Sequence, residues 1–502
     1  MFNTAKRALA ILLALAMVFA LAACSEPVDE GSTEVIIEEE IVYEEGESNK
    51  GEQNAKPDAN TSSDSGNTSS GSGNTSSGSG NTSSGSSKPS NTNYPNSRVN
   101  ANPADYKGTT IIFASTIDPK DDGTDYVVSK FEKEYGIKVE IIVPTLENYN
   151  AEMSNLIASG KAPTVGRSNG DAPIYVGYFD SLDKAALNFE DELWNQNTFK
   201  LSTYNGKPYL CDTLGNFWTE IDMVVYSKSL LKKANCPTPA DLDKQGKWTM
   251  DSYIMIGKKT KELDGCNGAT YGNLDSFLHM AGGAVYRADK DNHMVNGIDA
   301  KTTTIAKKIS QAFADKNIVS KGVTGLITNE VAISTSHLWS LRTDGNLKTH
   351  PNYNDLGFYF LPAFEEGGEA AVTGLFRGWG IMKKCNENPA TGPKSAVAGG
   401  FFLSEYLNVE NYDLDKSFIS EEAKTFFFKL CALYAETDNY NPYYTTYDLN
   451  EGISGMNDDK VVYGALTAQP AQVDTLLKSA KSAVDHAAKK LNDYIDQQIY
   501  AQ

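Results

Sequence analysis

The chain has 502 residues, a formal net charge of −20, and 22% charged against 40% hydrophobic residues. Its length exceeds the usual size of one hydrophobic core, so we expect two lobes once non-globular segments are set aside. Residues 24–107 carry a net charge of −9 and the residues before them +2, which leaves −13 for the globular part. Such an acidic body argues against nucleic acid and anionic membrane surfaces as partners, and it leaves a neutral ligand open.

The first 24 residues have the pattern of an export signal. Lys6 and Arg7 precede an apolar run over residues 8–22, which is too short to span a membrane comfortably. Small residues before Cys24 predict cleavage there, and thus a signal peptide over residues 1–23. The junction resembles the lipobox of bacterial lipoproteins, in which the new N-terminal cysteine carries lipid. The alternative is a plain secretory signal with a chance cysteine.

Residues 24–107 are acidic at first and then rich in Gly, Ser, Asn and Thr. The motif GNTSSGS occurs three times, at Gly66–Ser72, Gly73–Ser79 and Gly80–Ser86. No copy contains an apolar residue, which excludes a coiled coil and predicts a disordered, flexible tether. A coil of this length and composition has a root-mean-square reach of roughly 50 Å, enough to hold a domain away from a membrane.

Five cysteines remain beyond Cys24. They are Cys211, Cys236, Cys266, Cys385 and Cys431. No two of them have CxxC spacing, so the sequence indicates neither a redox motif nor a zinc knuckle. One disulfide and a set of buried free thiols both remain open.

From Thr109 the apolar pattern alternates between the periods of strands and helices. Residues 109–115 and 137–143 have strand patterns, and the helix between them ends at Gly136. The apolar face of that helix comprises Val127, Val128, Phe131 and Tyr135. This alternation predicts βαβ units and a largely parallel sheet. Near the C-terminus, a long apolar stripe after Pro470 predicts a helix that packs on the core.

The stretch Asn205–Pro239 is central to the prediction of two lobes. It contains one extended half, a break at Gly215-Asn216 that carries Trp218, and an apolar run at Ile221–Tyr226 that leads into a Lys-rich helix. By itself this pattern fits either an ordinary βα unit or a crossing between two lobes.

Six segments in chain order decide between these two interpretations. They are FEKEYGIKVEII, IASGKAPTV, NGKPYL, VVYSKSLLKKA, ISTSHLWSL and LGFYFLPAF. Together they resemble the family 1 extracellular solute-binding proteins, the sugar receptors of ABC importers, from about Thr109 to Leu407. Pro163-Thr164 and Tyr226-Ser227-Lys228 depart from the usual Pro-Asp and Tyr-Asn-Lys of the family, so the ligand of a familiar member cannot be transferred.

The resemblance implies a two-lobed, periplasmic-binding-protein-like α/β fold of type II, with a mostly parallel sheet flanked by helices in each lobe and a helical C-terminal segment. Lobe 1 is expected over residues 108–218 and about 360–405. Lobe 2 is expected over residues 219–359 and about 406–502. Asn205–Pro239 then becomes the first crossing between the lobes.

The implied function is capture of a small solute, a sugar or oligosaccharide, by closure of the lobes and its delivery to the transmembrane subunits of an ABC permease. We expect a monomer without a cofactor, anchored through lipid on Cys24 to the outer face of the bacterial cytoplasmic membrane. The alternatives are a surface sensor or adhesin on the same scaffold, or a secreted glycan hydrolase.

The catalytic and metal-binding motifs considered next are absent from the sequence. The sequence contains no GxSxG, HExxH or Walker A motif, and Asp118–Gly123 fails as a calcium loop at its third position. Tyr443-Tyr444 could bind ferric iron as phenolates, but the five histidines form no supporting cluster. We therefore predict no catalytic residue and no metal ligand, and aromatic packing or sugar contact for the tyrosines.

Carbohydrate recognition needs flat apolar faces and planar polar groups that converge in one cleft. The predicted ligand-binding residues are Trp218, Glu220, Trp339, Arg377, Trp379, Asn169, Asp171 and Tyr444. Trp218 and Trp379 are the preferred candidates, because both are expected in loops flanked by glycine. Each tryptophan could instead fill the core, since tryptophan is often largely buried.

Overall fold

The computed structural model describes residues 98–121, 123–146, 148–168, 173–216, 218–272, 274–443 and 464–500. The predicted signal peptide, Cys24 and most of the tether lie outside the described residues, as do Asn169, Asp171 and Tyr444. No helix in the described ranges is long and apolar enough to cross a membrane.

Twelve strands and thirteen α-helices are described. The strands are β1 Thr110–Ala114, β2 Lys138–Ile142, β3 Val165–Arg167, β4 Phe179–Asp180, β5 Thr203–Tyr204, β6 Lys207–Pro208, β7 Asp222–Ser227, β8 Tyr286–Ala288, β9 Met294–Asn296, β10 Ile333–His337, β11 Leu356–Tyr359 and β12 Trp379–Met382. The helices are α1 Asp125–Tyr135, α2 Tyr149–Ala158, α3 Gln196–Leu201, α4 Lys228–Lys233, α5 Pro239–Asp243, α6 Met250–Thr260, α7 Asp275–Met280, α8 Ala300–Ala314, α9 Gly322–Ile327, α10 Ser395–Tyr406, α11 Leu414–Ser417, α12 Glu421–Glu436 and α13 Val473–Tyr500.

The first sheet has the strand order β2-β1-β3-β12-β4. Strand β1 runs parallel to β2 and β3, whereas β12 runs antiparallel to β3 and β4. Helix α1 buries the apolar face predicted for it, and α10 packs against β1 and β12. The ring centroids of Phe113 and Phe402 lie 5.0 Å apart across this contact. The predicted βαβ start of the fold is therefore confirmed.

The second sheet has the order β10-β7-β11, and both outer strands run antiparallel to β7. This corrects the expectation of mostly parallel strands in each lobe. The reason is the path of the chain: β7 leads away from the first sheet, and β11 precedes the return to β12. Apolar runs show that strands are buried but do not fix their directions. Helix α12 covers β11, and α9 covers β10.

The predicted C-terminal helix is α13, and it follows a 3₁₀ turn that begins at Pro470. Its buried stripe includes Val473, Leu477, Val484, Ala487, Leu491 and Ile495. The helix packs against β9 and α8, and also against the turn Pro173–Gly177 between β3 and β4. The tail thus contacts segments that belong to both expected lobes, whose boundaries remain predictions.

All five cysteines named above are buried, and none of them forms a disulfide within the described residues. The structure therefore selects the second alternative that the sequence left open. A small buried thiol packs as an apolar side chain, and burial raises the pKa of Cys385 to about 11.

Candidate functional site

Three passages of the chain meet where the two sheets adjoin. The outward passage comprises residues 211–222, the return passage residues 372–379, and the third passage residues 440–443. The Leu375 N–H donates to the Glu220 carbonyl at 3.1 Å, and the Phe376 N–H donates to the Tyr443 carbonyl at 3.0 Å. Gly374 permits this close pairing, because a Cβ atom there would lie 2.2 Å from the Glu220 carbonyl oxygen.

These passages enclose what we call the crossing pocket, lined by Arg167, Asp212, Trp218, Glu220, Arg377 and Trp379 among others. Its empty volume is about 310 Å³, a figure that includes space open to solvent. The centre of a water molecule can lie within only about 10 Å³ of that volume. That is room for about one water. The pocket is therefore nearly closed in this conformation.

The chain turns sharply before Trp218. Gly215 has a φ of 91°, a left-handed conformation that favours glycine, and the Trp218 N–H donates to Asn216 Oδ1 at 3.0 Å. After the turn, all six residues of β7 are buried, as its apolar run predicts. The turn places Trp218 and Glu220 at the pocket wall.

Glu220 lies between two guanidinium groups. Its Oε1 is 2.8 Å from Arg377 Nη1 and 3.9 Å from Arg167 Nη2, and Arg167 also donates to the Trp218 carbonyl. Burial would raise the pKa of Glu220, but the charges of Arg377, His337 and Arg167 outweigh burial and lower it. Burial and the like charge of Arg377 lower the pKa of Arg167 to about 10.

Asp212 has its own donors within the outward passage. Its carboxylate accepts from the Thr213 N–H at 2.8 Å, from the Thr219 hydroxyl at 3.1 Å and from the Asn216 amide. Burial raises its pKa to about 6, although these hydrogen bonds act in the opposite direction. The carboxylate is thus fixed in place but costly to ionise.

A second buried pair lies at the start of β7. His337 Nδ1 is 2.9 Å from Asp222 Oδ1, and Asp222 also accepts from the hydroxyl of Ser276 at 2.8 Å. Burial lowers the pKa of His337, but the carboxylates of Asp222 and Glu220 raise it to a larger extent, so the net change is upward. Charge pairing therefore extends from the pocket into the second sheet.

The structure brings together four predicted residues, Trp218, Glu220, Arg377 and Trp379, at the crossing pocket. Trp339 is half-buried and is absent from the residues that line it. The sequence prediction missed Arg167 and Asp212. Arg167 ends β3, two residues before the predicted Asn169, so a search for polar residues at this strand end would have found it. The residues that donate hydrogen bonds to Asp212 are close to it in the sequence, but nothing in the sequence shows that its carboxylate is buried.

The two tryptophans pack against protein aromatic rings. The ring of Trp218 stacks on that of Tyr406, with centroids 4.9 Å and planes 15° apart, and the Arg342 guanidinium lies 5.3 Å from its centroid. Trp379 is only 2% exposed and lies 5.5 Å from Phe113. Trp379 was expected in a loop, but it belongs to β12 and pairs with Arg167 on β3. The glycines on either side of Trp379 do not prevent this strand pairing.

A second, wider cavity lies beyond Trp218 and has an empty volume of about 880 Å³ that includes space open to solvent. Its wall comes from the start of α1, from the residues after β10 and from the segment between α10 and α12. Tyr126, Arg342 and Tyr412 are among the lining residues. The rings of Trp218 and Tyr412 lie 5.8 Å apart, so the wider cavity adjoins the Trp218 side of the crossing pocket.

The described residues contain no group of three or more His, Cys, Asp or Glu side chains that could hold a metal ion. The guanidinium groups of Arg167 and Arg377 instead share the carboxylate of Glu220. This arrangement can bind a polar solute through guanidinium and carboxylate groups.

Comparison with known proteins identifies the family. The sequence profile of the bacterial extracellular solute-binding proteins matches residues 127–392, which is more than half of the chain. The chain therefore belongs to this family of binding proteins, as the sequence predicted. No curated protein matches the chain.

Solved structures that are similar in fold include two binding proteins. An ABC substrate-binding protein from Listeria monocytogenes in complex with cycloalternan is 16% identical, with coverage of 78% of this chain and 99% of that one and a TM-score of 0.50. The cyclic alpha-maltosyl-1,6-maltose binding protein from Arthrobacter globiformis is 12% identical, with coverage of 76% and 99% and a TM-score of 0.56. The two-lobed, periplasmic-binding-protein-like fold is thereby confirmed.

Proposed function

We propose that this solute-binding protein captures a carbohydrate between its two lobes and delivers it to an ABC permease. The observation that carries the proposal is the crossing pocket, where Trp218 and Trp379 converge with the planar groups of Glu220 and Arg377. Aromatic rings and planar, charged hydrogen-bonding groups are the combination that sugar recognition needs. The two structural relatives support it, since one was solved in complex with cycloalternan and the other is a cyclic alpha-maltosyl-1,6-maltose binding protein.

Opening of the lobes is part of the proposal. The crossing pocket has room for about one water here, so a sugar ring can enter only after the outward, return and third passages bend apart. A ligand that contacts both lobes then stabilises the closed state by its differential affinity for it. The wider cavity, where Tyr126 is 42% exposed, offers space for further sugar units of an oligosaccharide.

The location and partners are also part of the proposal. A lipid on Cys24 would hold the protein at the outer face of the cytoplasmic membrane, and the tether would let the domain reach the transmembrane subunits of its permease. We propose lobes over the ranges expected from the sequence and a monomeric receptor. Trp339, Asn169, Asp171 and Tyr444 remain proposed ligand contacts beside the four residues at the pocket.

Isothermal titration against a panel of neutral and acidic oligosaccharides tests the function. We expect at least one to bind, and small-angle scattering should then show a more compact particle with that ligand than without it. Binding to none of the panel would contradict the carbohydrate assignment. Prolonged incubation followed by product analysis tests the hydrolase alternative, which predicts cleavage; we expect the ligand to remain intact.

A further inference from the structure

Arg167 and Arg377, which line the crossing pocket, both have an unused donor. The ion pair of Arg377 with Glu220 uses Nη1, and the contacts of Arg167 with Glu220 and the Trp218 carbonyl use Nη2. The Nε atoms of both residues are buried, and neither has a hydrogen-bond partner within the described ranges. Both side chains line the crossing pocket.

A buried N–H group without an acceptor costs free energy, so two of them in one pocket call for an explanation. The Nε–H and an adjacent Nη–H of a guanidinium lie side by side and point in the same direction. This edge binds the two oxygens of a carboxylate by two parallel hydrogen bonds. The unused edge of Arg377 therefore has the geometry of a carboxylate receptor.

The charges at the pocket point to the same ligand. Two guanidinium groups face Glu220, which is the one carboxylate within 4.0 Å of either of them in the described part of the chain. Asp212 also lines the pocket, but its oxygens accept from Thr213, Thr219 and Asn216. Burial and the like charge of Arg377 outweigh the carboxylates of Glu220 and Asp212 and lower the pKa of Arg167. One further carboxylate, supplied by a ligand, would pair with the second guanidinium.

We propose that the solute is an acidic carbohydrate, with a uronic acid whose carboxylate is bound by the Nε edge of Arg377 and by the Nε–H of Arg167. This inference rests on the proposed carbohydrate function and narrows its substrate class. On solute entry the carboxylate would satisfy both buried donors, and the sugar ring would lie toward Trp218.

The test compares each acidic ligand with its own neutral form. Trigalacturonate, trimannuronate and a glucuronate-containing trisaccharide are titrated calorimetrically beside their methyl esters and beside maltotriose. At least one acid should bind about tenfold or more tightly than its ester, because the ester keeps the shape and loses the charge. Salt dependence is a poor substitute, since the net charge of −13 on the globular part repels an anion and salt screens that repulsion as well.

The outcomes separate the two proposals. If maltotriose or the esters bind as tightly as the acids, the carbohydrate function stands and the acidic class is wrong. If none of these compounds binds, and the wider panel also fails, both proposals fail. Tighter binding of an acid than of its ester supports both.

Variants assign the effect to the guanidinium edge. Arg377→Lys keeps a positive charge beside Glu220 but removes the Nε–H edge, so affinity for the acid should fall about tenfold while affinity for the ester changes little. Arg287→Lys is the matched control, since Arg287 lies on β8 and pairs with Asp299 away from the crossing pocket. Unchanged acid binding by Arg377→Lys would overturn the proposal. Arg167→Lys repeats the test if Arg377→Lys fails to fold.

Discussion

The core of the first sheet and the crossing pocket are both buried, but different forces stabilise them. In the core, Phe113 is fully buried against Phe402 and Tyr406, and apolar packing alone accounts for the contact. In the pocket, Glu220 and Arg377 are buried as ions, so each needs the other. A change of volume should therefore damage the core most, whereas a change of charge should damage the pocket most.

Trp379→Ala should have the largest effect, because Trp379 belongs to both regions. It is 2% exposed and contacts Phe113 in the core while it lines the pocket. Loss of such a side chain leaves a cavity and should lower the free energy of unfolding by about 3–5 kcal/mol, measured by denaturant titration. A loss of this size would support the alternative that the sequence left open, in which the tryptophan fills the core.

Trp218→Ala is compared with Trp379→Ala to separate ligand binding from core packing. Trp218 is half-buried, and its ring stacks on Tyr406 at the boundary of the two regions. We expect a weaker ligand affinity, by about 1–3 kcal/mol, and a smaller loss of stability than in Trp379→Ala. Equal loss of stability in the two variants would mean that Trp218 acts as core filler.

Glu220→Gln tests the charged region. The amide removes the negative charge between Arg377 and Arg167 but keeps a similar shape, so two buried guanidinium groups lose their shared counter-ion. The free energy of unfolding should fall by about 3 kcal/mol, measured by denaturant titration. Glu422→Gln is the control, because Glu422 pairs with Lys228 at the surface, where an ion pair contributes about 1 kcal/mol or less. Equal effects of the two variants would contradict an essential buried charge pair.

Gly374→Ala tests how closely the passages pair. The new Cβ would lie 2.2 Å from the Glu220 carbonyl oxygen and 2.7 Å from Ile221 Cα, so the outward and return passages must separate. We expect a loss of about 1–3 kcal/mol in the free energy of unfolding and a shift toward the open form in small-angle scattering. Gly464→Ala is the matched control, since a Cβ there meets no atom of the described residues within 4 Å. A fully stable and closed Gly374→Ala would contradict the described pairing.

The same contrast explains what the sequence could predict. The apolar face of α1 and the buried run of β7 follow from residue periodicity, and the structure confirms both. The pocket depends on contacts between Arg167, Glu220 and Arg377, which lie far apart in the chain. Periodicity does not report such contacts, and a charged residue in a loop is ordinarily solvated. Glu220 and Arg377 were predicted from their tryptophan neighbours, whereas Arg167 had no such neighbour in sequence.

The smallest expected effect is the pH dependence contributed by Asp212. Burial raises its folded-state pKa to about 6, whereas an unfolded aspartate titrates near 3.9. The folded state therefore binds more protons between these values, and its stability falls as the pH rises through this range. From about pH 5 to about pH 7, Asp212 should lower the free energy of unfolding by about 1 kcal/mol.

Asp212→Asn removes this titration, although its lost hydrogen-bond acceptor costs a constant amount at every pH. The stability of the wild-type protein relative to the variant should hence fall by about 1 kcal/mol from about pH 5 to about pH 7, measured by denaturant unfolding. Asp241→Asn is the control: a hydrogen bond from Lys244 lowers the pKa of Asp241, so it stays ionised throughout this range. If the stabilities of wild type and Asp212→Asn change in parallel with pH, the prediction is wrong. The carboxylate would then ionise as readily in the pocket as in water.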